Sequence, residues 1–413
     1  VYAKYCGEVI FAGRSSAPSG ASTGSNEAVE LRDGDKARYT GKGTLTAAKN
    51  VASKLQPALF RKEFENLAEL DQIIKDVDGD VLKKNIGGNA TTATSFALAT
   101  AAAQIYDEPL FLYLAKQYFG PNQVPEKFSL PSPFFNILNG GKHAGGNLKI
   151  QEFMISPSKT FPYPDQLRVA AEVYQKLGGI LVEKLHDVAA KNLGDEGGFA
   201  PALESPDQAL LLIEEAIDAA GYAGQVNIAL DAAASEFYDA ESKLYEVEVG
   251  KKLTADELIE YWKDLVEKHP AISSIEDGLD EKDYDHWPIL NAQLGEKIHL
   301  VGDDLYTTNP ETIQKGLDGN WANALLLKVN QIGTISEALQ AAKLILNAGQ
   351  WVMVSHRSGE TTNTVIADLA VAIGAQAIKT GSTARGERIA KYTRLLQIYE
   401  YLNENSLLAI PEE

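Results

Sequence analysis

Apolar and polar residues alternate along this chain in two regimes. Residues 1–12 (VYAKYCGEVIFA) are rich in β-formers, and the Gly/Ser/Pro segment Gly13–Gly24 that follows reads as a loop. Apolar residues then recur at helical spacing from Leu45 to about Ile74, from Thr92 to Tyr106 and from Leu110 to Phe119. Residues 121–133 (PNQVPEKFSLPSP) carry four prolines and mark the expected domain boundary. The division predicted is a smaller N-terminal α+β domain, residues 1–125, and a C-terminal α/β domain, residues 126–413.

Beyond the prolines, short apolar runs alternate with amphipathic helices. Ser205-Pro206-Asp207 opens one helix with Pro in its first turn, and Gly221 stands just past its end. Thr254–Glu257 and Thr334–Glu337 have capping-box spacing, and Asn309-Pro310 starts a further helix. Between them lie the strand candidates NIALD (227–231), SSIED (273–277), HLVGD (299–303), LLLKV (325–329), WVMVSH (351–356) and AIKTG (377–381). Repeated β-then-α alternation predicts a parallel sheet, and the number of repeats favours a closed TIM-type (β/α)8 barrel.

Each of these runs ends in an ionisable side chain: Asp231, Glu276, Asp303, Lys328, His356 and Lys379. Singly, such residues have ordinary readings, an Asp as a helix cap and a Lys after LLL as a snorkelling side chain. Six in register at successive strand ends would converge on one face of a barrel, where such enzymes keep their active sites. Asp231, Glu276 and Asp303 together would repel and lose hydration unless a hard divalent cation such as Mg²⁺ sat among them. Lys328, Arg357 and Lys379, with His356, suit an anionic substrate such as a phosphorylated carboxylic acid. A Lys beside a metal and a second cation is expected to have a depressed pKa, as a general base requires.

Two glycine-rich clusters add candidates. Gly140–Gly146 (GGKHAGG) carries His143 and precedes the apolar run IQEFMI, where Glu152 reads as a buried carboxyl with a raised pKa. Gly194–Pro201 (GDEGGFAP) sets Asp195 and Glu196 between glycines, where a solvated turn is an equal alternative. The remaining His186, His269, His286 and His299 are assigned no role. GKGT (41–44) lacks P-loop spacing, and neither a dinucleotide fingerprint nor an HExxH motif is present. The 413 residues carry 38 Lys+Arg against 57 Asp+Glu, a net charge of −19, which disfavours nucleic acid as a partner. No apolar stretch is long enough to span a membrane, and the single Cys6 forms no internal disulfide, so a cytoplasmic protein is expected.

These motifs resemble enolase. SGAST (19–23), NGGKHAGG (139–146), QEFMI (151–155), GDEGGFAP (194–201), SIEDGL (274–279), GDDL (302–305), LLLKVNQIGT (325–334), SHRSGET (355–361) and IKTG (378–381) follow the family's order over nearly the whole chain. The resemblance implies reversible Mg²⁺-dependent dehydration of 2-phosphoglycerate to phosphoenolpyruvate in a homodimer. Asp231, Glu276 and Asp303 look like the ligands of the first metal, and Ser22 like the loop residue that reaches a second. Lys328 resembles the base and Glu196 the acid, with Glu152 as its neighbour and a raised pKa expected of the acid. His143, Ser355, His356, Arg357, Ser358 and Lys379 look like substrate-binding groups, Glu152 among them. The chain departs from the family in entering about a strand late at Val1, in GGNATTATS (87–95) and in TTNT (361–364). A structural or surface-binding role on the same fold, crystallin-like or plasminogen-binding, is the competing class. A scaffold has no need of both Lys328 and Glu196, and the ending LLAIPEE lacks a C-terminal Lys.

Overall fold

The computed structural model describes residues 1–5, 7–20, 24–144 and 146–409. Strands β1 (Tyr2–Tyr5) and β2 (Glu8–Phe11) pair antiparallel, Tyr2 opposite Phe11. The long helical pattern from Leu45 is interrupted. Phe60 turns extended, and the helix restarts only at Leu67, where the Asn66 side chain accepts from the Glu69 N–H. Helices Gly88–Ile105 and Leu110–Phe119 follow.

Eight strands close a barrel: β3 (Ser132–Asn139), β4 (Glu152–Pro157), β5 (Val226–Asp231), then, after a small antiparallel sheet of β6 (Tyr238–Asp239), β7 (Leu244–Glu248) and β8 (Lys251–Leu253), β9 (Ile272–Glu276), β10 (His299–Gly302), β11 (Ala324–Leu327), β12 (Trp351–Ser355) and β13 (Ala377–Lys379). The α/β barrel expected from the pattern is therefore present. It departs from an all-parallel sheet at one strand, because β4 runs antiparallel to both β3 and β5. The physical reason is local. Of residues 140–151, which join β3 to β4, the described ones form only the short helix Gly141–Ala144, so no crossover helix carries the chain along the barrel and it doubles back. Strand β3 itself begins inside the proline-rich segment, with Pro133 as its second residue.

The barrel interior is filled by a small apolar set, including Phe134, Met154, Val301, Leu326 and Met353. A much larger core lies between strands and surrounding helices. The helix signals match their structures. Ser205, Thr254, Asn309 and Thr334 each cap a helix N-terminus through the side chain, Thr254 and Glu257 reciprocally. The N-terminal helices rest on the barrel through buried polar contacts. Asp71 accepts from the Ser336 N–H at 2.9 Å and hydroxyl at 2.6 Å, and Lys83 pairs with Glu337 at 3.0 Å.

Candidate active site

Because strands alternate direction only at β4, its first residue lies at the same end of the barrel as the last residues of the others. Glu152 pairs with Asp231 in register, and Asp231 with Glu276. The predicted residues therefore converge: His143, Glu152, Glu196, Asp231, Lys328, Ser355, His356, Arg357, Ser358 and Lys379 line one cavity. Ser22 lies outside the described residues.

Lys379 Nζ stands 2.8 and 2.9 Å from the two oxygens of Glu276, 3.2 Å from Asp231 and 3.3 Å from Glu152. Burial works against its charge, but Asp231, Glu152 and Glu276 outweigh burial and hold the ammonium well above its ordinary range. Lys328 Nζ donates to Asp303. Burial again opposes the charge, and Asp303 again prevails, so the Lys328 pKa is raised. The depressed pKa is expected of a Lys beside a metal ion; here the amine faces the Asp303 carboxylate, which raises it. Asp303 is in turn held low by Lys328 and Lys379 in spite of its burial.

A chain of hydrogen bonds fixes this pair. The Lys328 N–H donates to Thr308 Oγ1 at 2.9 Å, the Thr308 hydroxyl to Gln331 Oε1 at 2.7 Å, and Gln331 Nε2 to Asp303 Oδ1 at 2.8 Å. Asp277 accepts from the backbone N–H groups of Asp303 and Asp304 at 2.9 and 2.8 Å.

The two glutamates diverge. Burial and the neighbouring Glu196 push the Glu152 carboxyl well above the carboxylate range, as expected of it. Glu196 moves the other way. Burial would raise it, but its neighbours His356 and His143, with a hydrogen bond from His356 and the charge of Arg388, more than offset burial and hold it low. The raised pKa expected of the acid therefore falls on its neighbour Glu152, and the two carboxyls titrate as a pair. His143 Nδ1 lies 3.8 Å from an oxygen of each, and Asn136 Nδ2 donates to Glu196 at 3.0 Å.

The all-oxygen, buried donor set of Asp231, Glu276 and Asp303 fits a hard divalent cation. The ammonium of Lys379 already sits against Asp231 and Glu276, which shows that these oxygens face a position for positive charge. Among the described residues, two clusters have ligand atoms within 4.8 Å of one another: His143, Glu152 and Glu196, and Asp277, Asp303 and Asp304. The Lys328 and Lys379 amines engage the predicted trio instead.

Sequence reasoning did not find Glu27, Gln331, Asn136, Asp277 or Arg388. Arg388 had a signal. In the helix Gly386–Glu404, residues 388, 391, 392, 395, 398 and 402 form the buried face, so Arg388 and Lys391 are charges on an apolar stripe. Glu27 had none, since its partner Arg357 is 330 residues away.

Residues 127–410 match a family profile described as "Enolase, C-terminal TIM barrel domain", and residues 4–114 match "Enolase, N-terminal domain". The chain is 50% identical over 393 residues to "Enolase" of Methanosarcina barkeri (strain Fusaro / DSM 804), a match covering 95% of this chain and 89% of that protein.

Proposed function

Because the chain belongs to the enolase family, we propose that it is a phosphopyruvate hydratase, a lyase that interconverts 2-phosphoglycerate and phosphoenolpyruvate with Mg²⁺. The observation that carries this reading is a single cavity lined by an amine, Lys328, and by the neighbouring carboxyls of Glu152 and Glu196. An elimination of water needs both functions at one site: a base for a weakly acidic proton and an acid for a poor leaving group.

Mg²⁺ held by Asp231, Glu276 and Asp303, with Ser22 toward a second ion, would supply positive charge against the substrate carboxylate as electrons move into it. Lys328 takes the α-proton. It can do so once Asp303 is otherwise engaged, for Arg357 and Lys379 then act on it without their counterweight and lower its pKa. The Glu152–Glu196 pair delivers a proton to the departing hydroxyl, which leaves as water. His143, Ser355, His356, Arg357, Ser358 and Lys379 hold the anionic substrate, with Arg357 suited to a bidentate grip on phosphate. The division into residues 1–125 and 126–413, a homodimeric assembly and a cytoplasmic location belong to the same proposal. Among the described residues no helix is long and apolar enough to cross a membrane.

Exchange of the C2 proton of 2-phosphoglycerate in D2O separates the two roles. Wild-type protein with Mg²⁺ should exchange and dehydrate; Lys328→Ala should do neither; Glu196→Gln should exchange without dehydrating. A folded, Mg²⁺-loaded wild type that neither exchanges nor dehydrates overturns the reading.

A further inference from the structure

Arg388 is fully buried on the first turn of the helix Gly386–Glu404, and its guanidinium reaches two loops at once. Nη1 donates to His356 Nδ1 at 2.6 Å and to the Arg357 carbonyl at 2.6 Å. Nη2 donates to the Ser358 carbonyl at 2.6 Å and to the Asp195 carbonyl at 3.2 Å. Among the described residues the carboxylate that pairs with it is Glu387 on the same helix, 3.4 Å from Nε. A buried cation satisfied mainly by neutral acceptors is costly unless those contacts do something.

Resting on the proposed function above, we propose that Arg388 is a positioning residue for the dehydration: it fixes the His356 ring with its proton on Nε2, facing Glu196, and holds the backbone of 356–358 in register with the Glu196 loop.

The hydrogen count compels the tautomer. A guanidinium has donors only, so the His356 Nδ1 that meets Nη1 must offer a lone pair. A neutral imidazole then carries its proton on Nε2, which lies 3.2 Å from Glu196 Oε2. A doubly protonated ring would set N–H against N–H. The charged groups acting on the ring agree: burial, with Arg388 and Lys379 against the pull of Glu196, pushes the imidazole down to about 3. A His356 that stays neutral does not compete with Glu152 and Glu196 for a proton.

The fold makes room for this one side chain. Gly381, at φ +85°, would with a Cβ place it 2.7 Å from Arg388 Cδ and 2.8 Å from the Glu196 carbonyl. Lys cannot replace Arg here, because a single ammonium nitrogen does not span four acceptors on two loops. Lys391, one turn on, donates to the Thr361 and Glu387 carbonyls and pairs with Glu360, supporting the same loop without touching His356.

Nitrogen–proton correlation spectra of ¹⁵N-histidine protein test this directly, with His356→Gln used to assign the signal. Wild type should show His356 protonated on Nε2 alone from pH 5 to 8. In Arg388→Gln and Arg388→Lys the ring should no longer be held in the Nε2-protonated tautomer alone, and kcat should fall about 10- to 100-fold. Lys391→Gln should keep the wild-type tautomer. A wild-type ring protonated on Nδ1, or one that titrates between pH 5 and 8, overturns the proposal. So does an Arg388→Lys or Arg388→Gln protein with the wild-type ring state and the wild-type kcat. Should either variant fail to fold, the wild-type spectrum still decides the tautomer. Absence of turnover in wild type would overturn the enzymatic reading and leave the spectrum interpretable.

Discussion

Arg357 grips both carboxylate oxygens of Glu27, Nη1 to Oε2 at 2.7 Å and Nη2 to Oε1 at 3.2 Å, with both side chains buried. The pair joins the N-terminal segment to the rim of the barrel. Glu27 also accepts from Gln331, which holds Asp303, so the N-terminal segment is tied to the proposed base and metal ligands.

Removing Glu27 should therefore hurt stability and site alike. Glu27→Ala leaves a buried guanidinium without its carboxylate, and breaking a buried pair on one side costs about 3–5 kcal/mol. Denaturant titration should show that loss, with Glu27→Gln intermediate because it keeps one acceptor. An Ala variant within about 0.5 kcal/mol of wild type would mean that the pair is held in place without stabilising the fold.

Metal binding should release protons. Burial and Asp231 push the Glu276 carboxyl well above its usual range, against the opposing pull of Lys379. Since a carboxylate ligand must be ionised, Mg²⁺ binding should liberate protons near neutral pH, and apparent affinity should rise with pH. A weakly buffered titration with a pH indicator reads the release, and EDTA should reverse it and abolish turnover. Proton-neutral binding would show Glu276 already ionised.

How much of this was legible beforehand follows from where each determinant lies. Lys328, Asp231 and Glu276 were readable because each closes an apolar run on its own strand, so local pattern and barrel geometry suffice. The antiparallel course of β4 was hidden by the prolines at 131 and 133, which mask the start of β3. The raised pKa of Glu152 and the charge on Lys328 are set by neighbours from other segments, Glu196 and Asp303, and no single segment reports them. Arg388 was visible as a charge on an apolar stripe, but its partners belong to two distant loops.

The contact between the N-terminal helices and the barrel should carry a pH signature. Burial raises Asp71 to about 6, against the hydrogen bonds from Ser336. The folded-state pKa exceeds the unfolded value, so the folded protein binds more protons. This group's contribution is complete below about pH 4 and is lost as pH rises through about 6. The span corresponds to about 3 kcal/mol. Stability of Asp71→Asn relative to wild type should therefore improve as pH climbs from 4 to 7, read as a difference in denaturant midpoints. A pH-independent difference would place Asp71 at an ordinary pKa.

Gly20 offers a way to disturb Arg357 without straining the backbone. A Cβ there would lie 2.0 Å from Arg357 Nη2 and 2.6 Å from Cζ, too close for both to stay. Gly20 is not held at positive φ, so Ala fits its backbone and the side chain of Arg357 must move instead. The guanidinium is the end of a long side chain, and its displacement costs less than the loss of its carboxylate partner in Glu27→Ala. Gly20→Ala should accordingly fold, with a denaturant midpoint nearer to wild type than that of Glu27→Ala. If Arg357 binds the substrate phosphate, KM should rise at least about tenfold, the value of about 1.4 kcal/mol in lost binding. Gly381→Ala makes the contrast: its positive φ and its contact with Arg388 load both backbone and loop, so stability and kcat should fall together. A Gly20→Ala enzyme with wild-type KM would mean that Arg357 can shift without loss of substrate affinity, and would remove it from the phosphate-binding role.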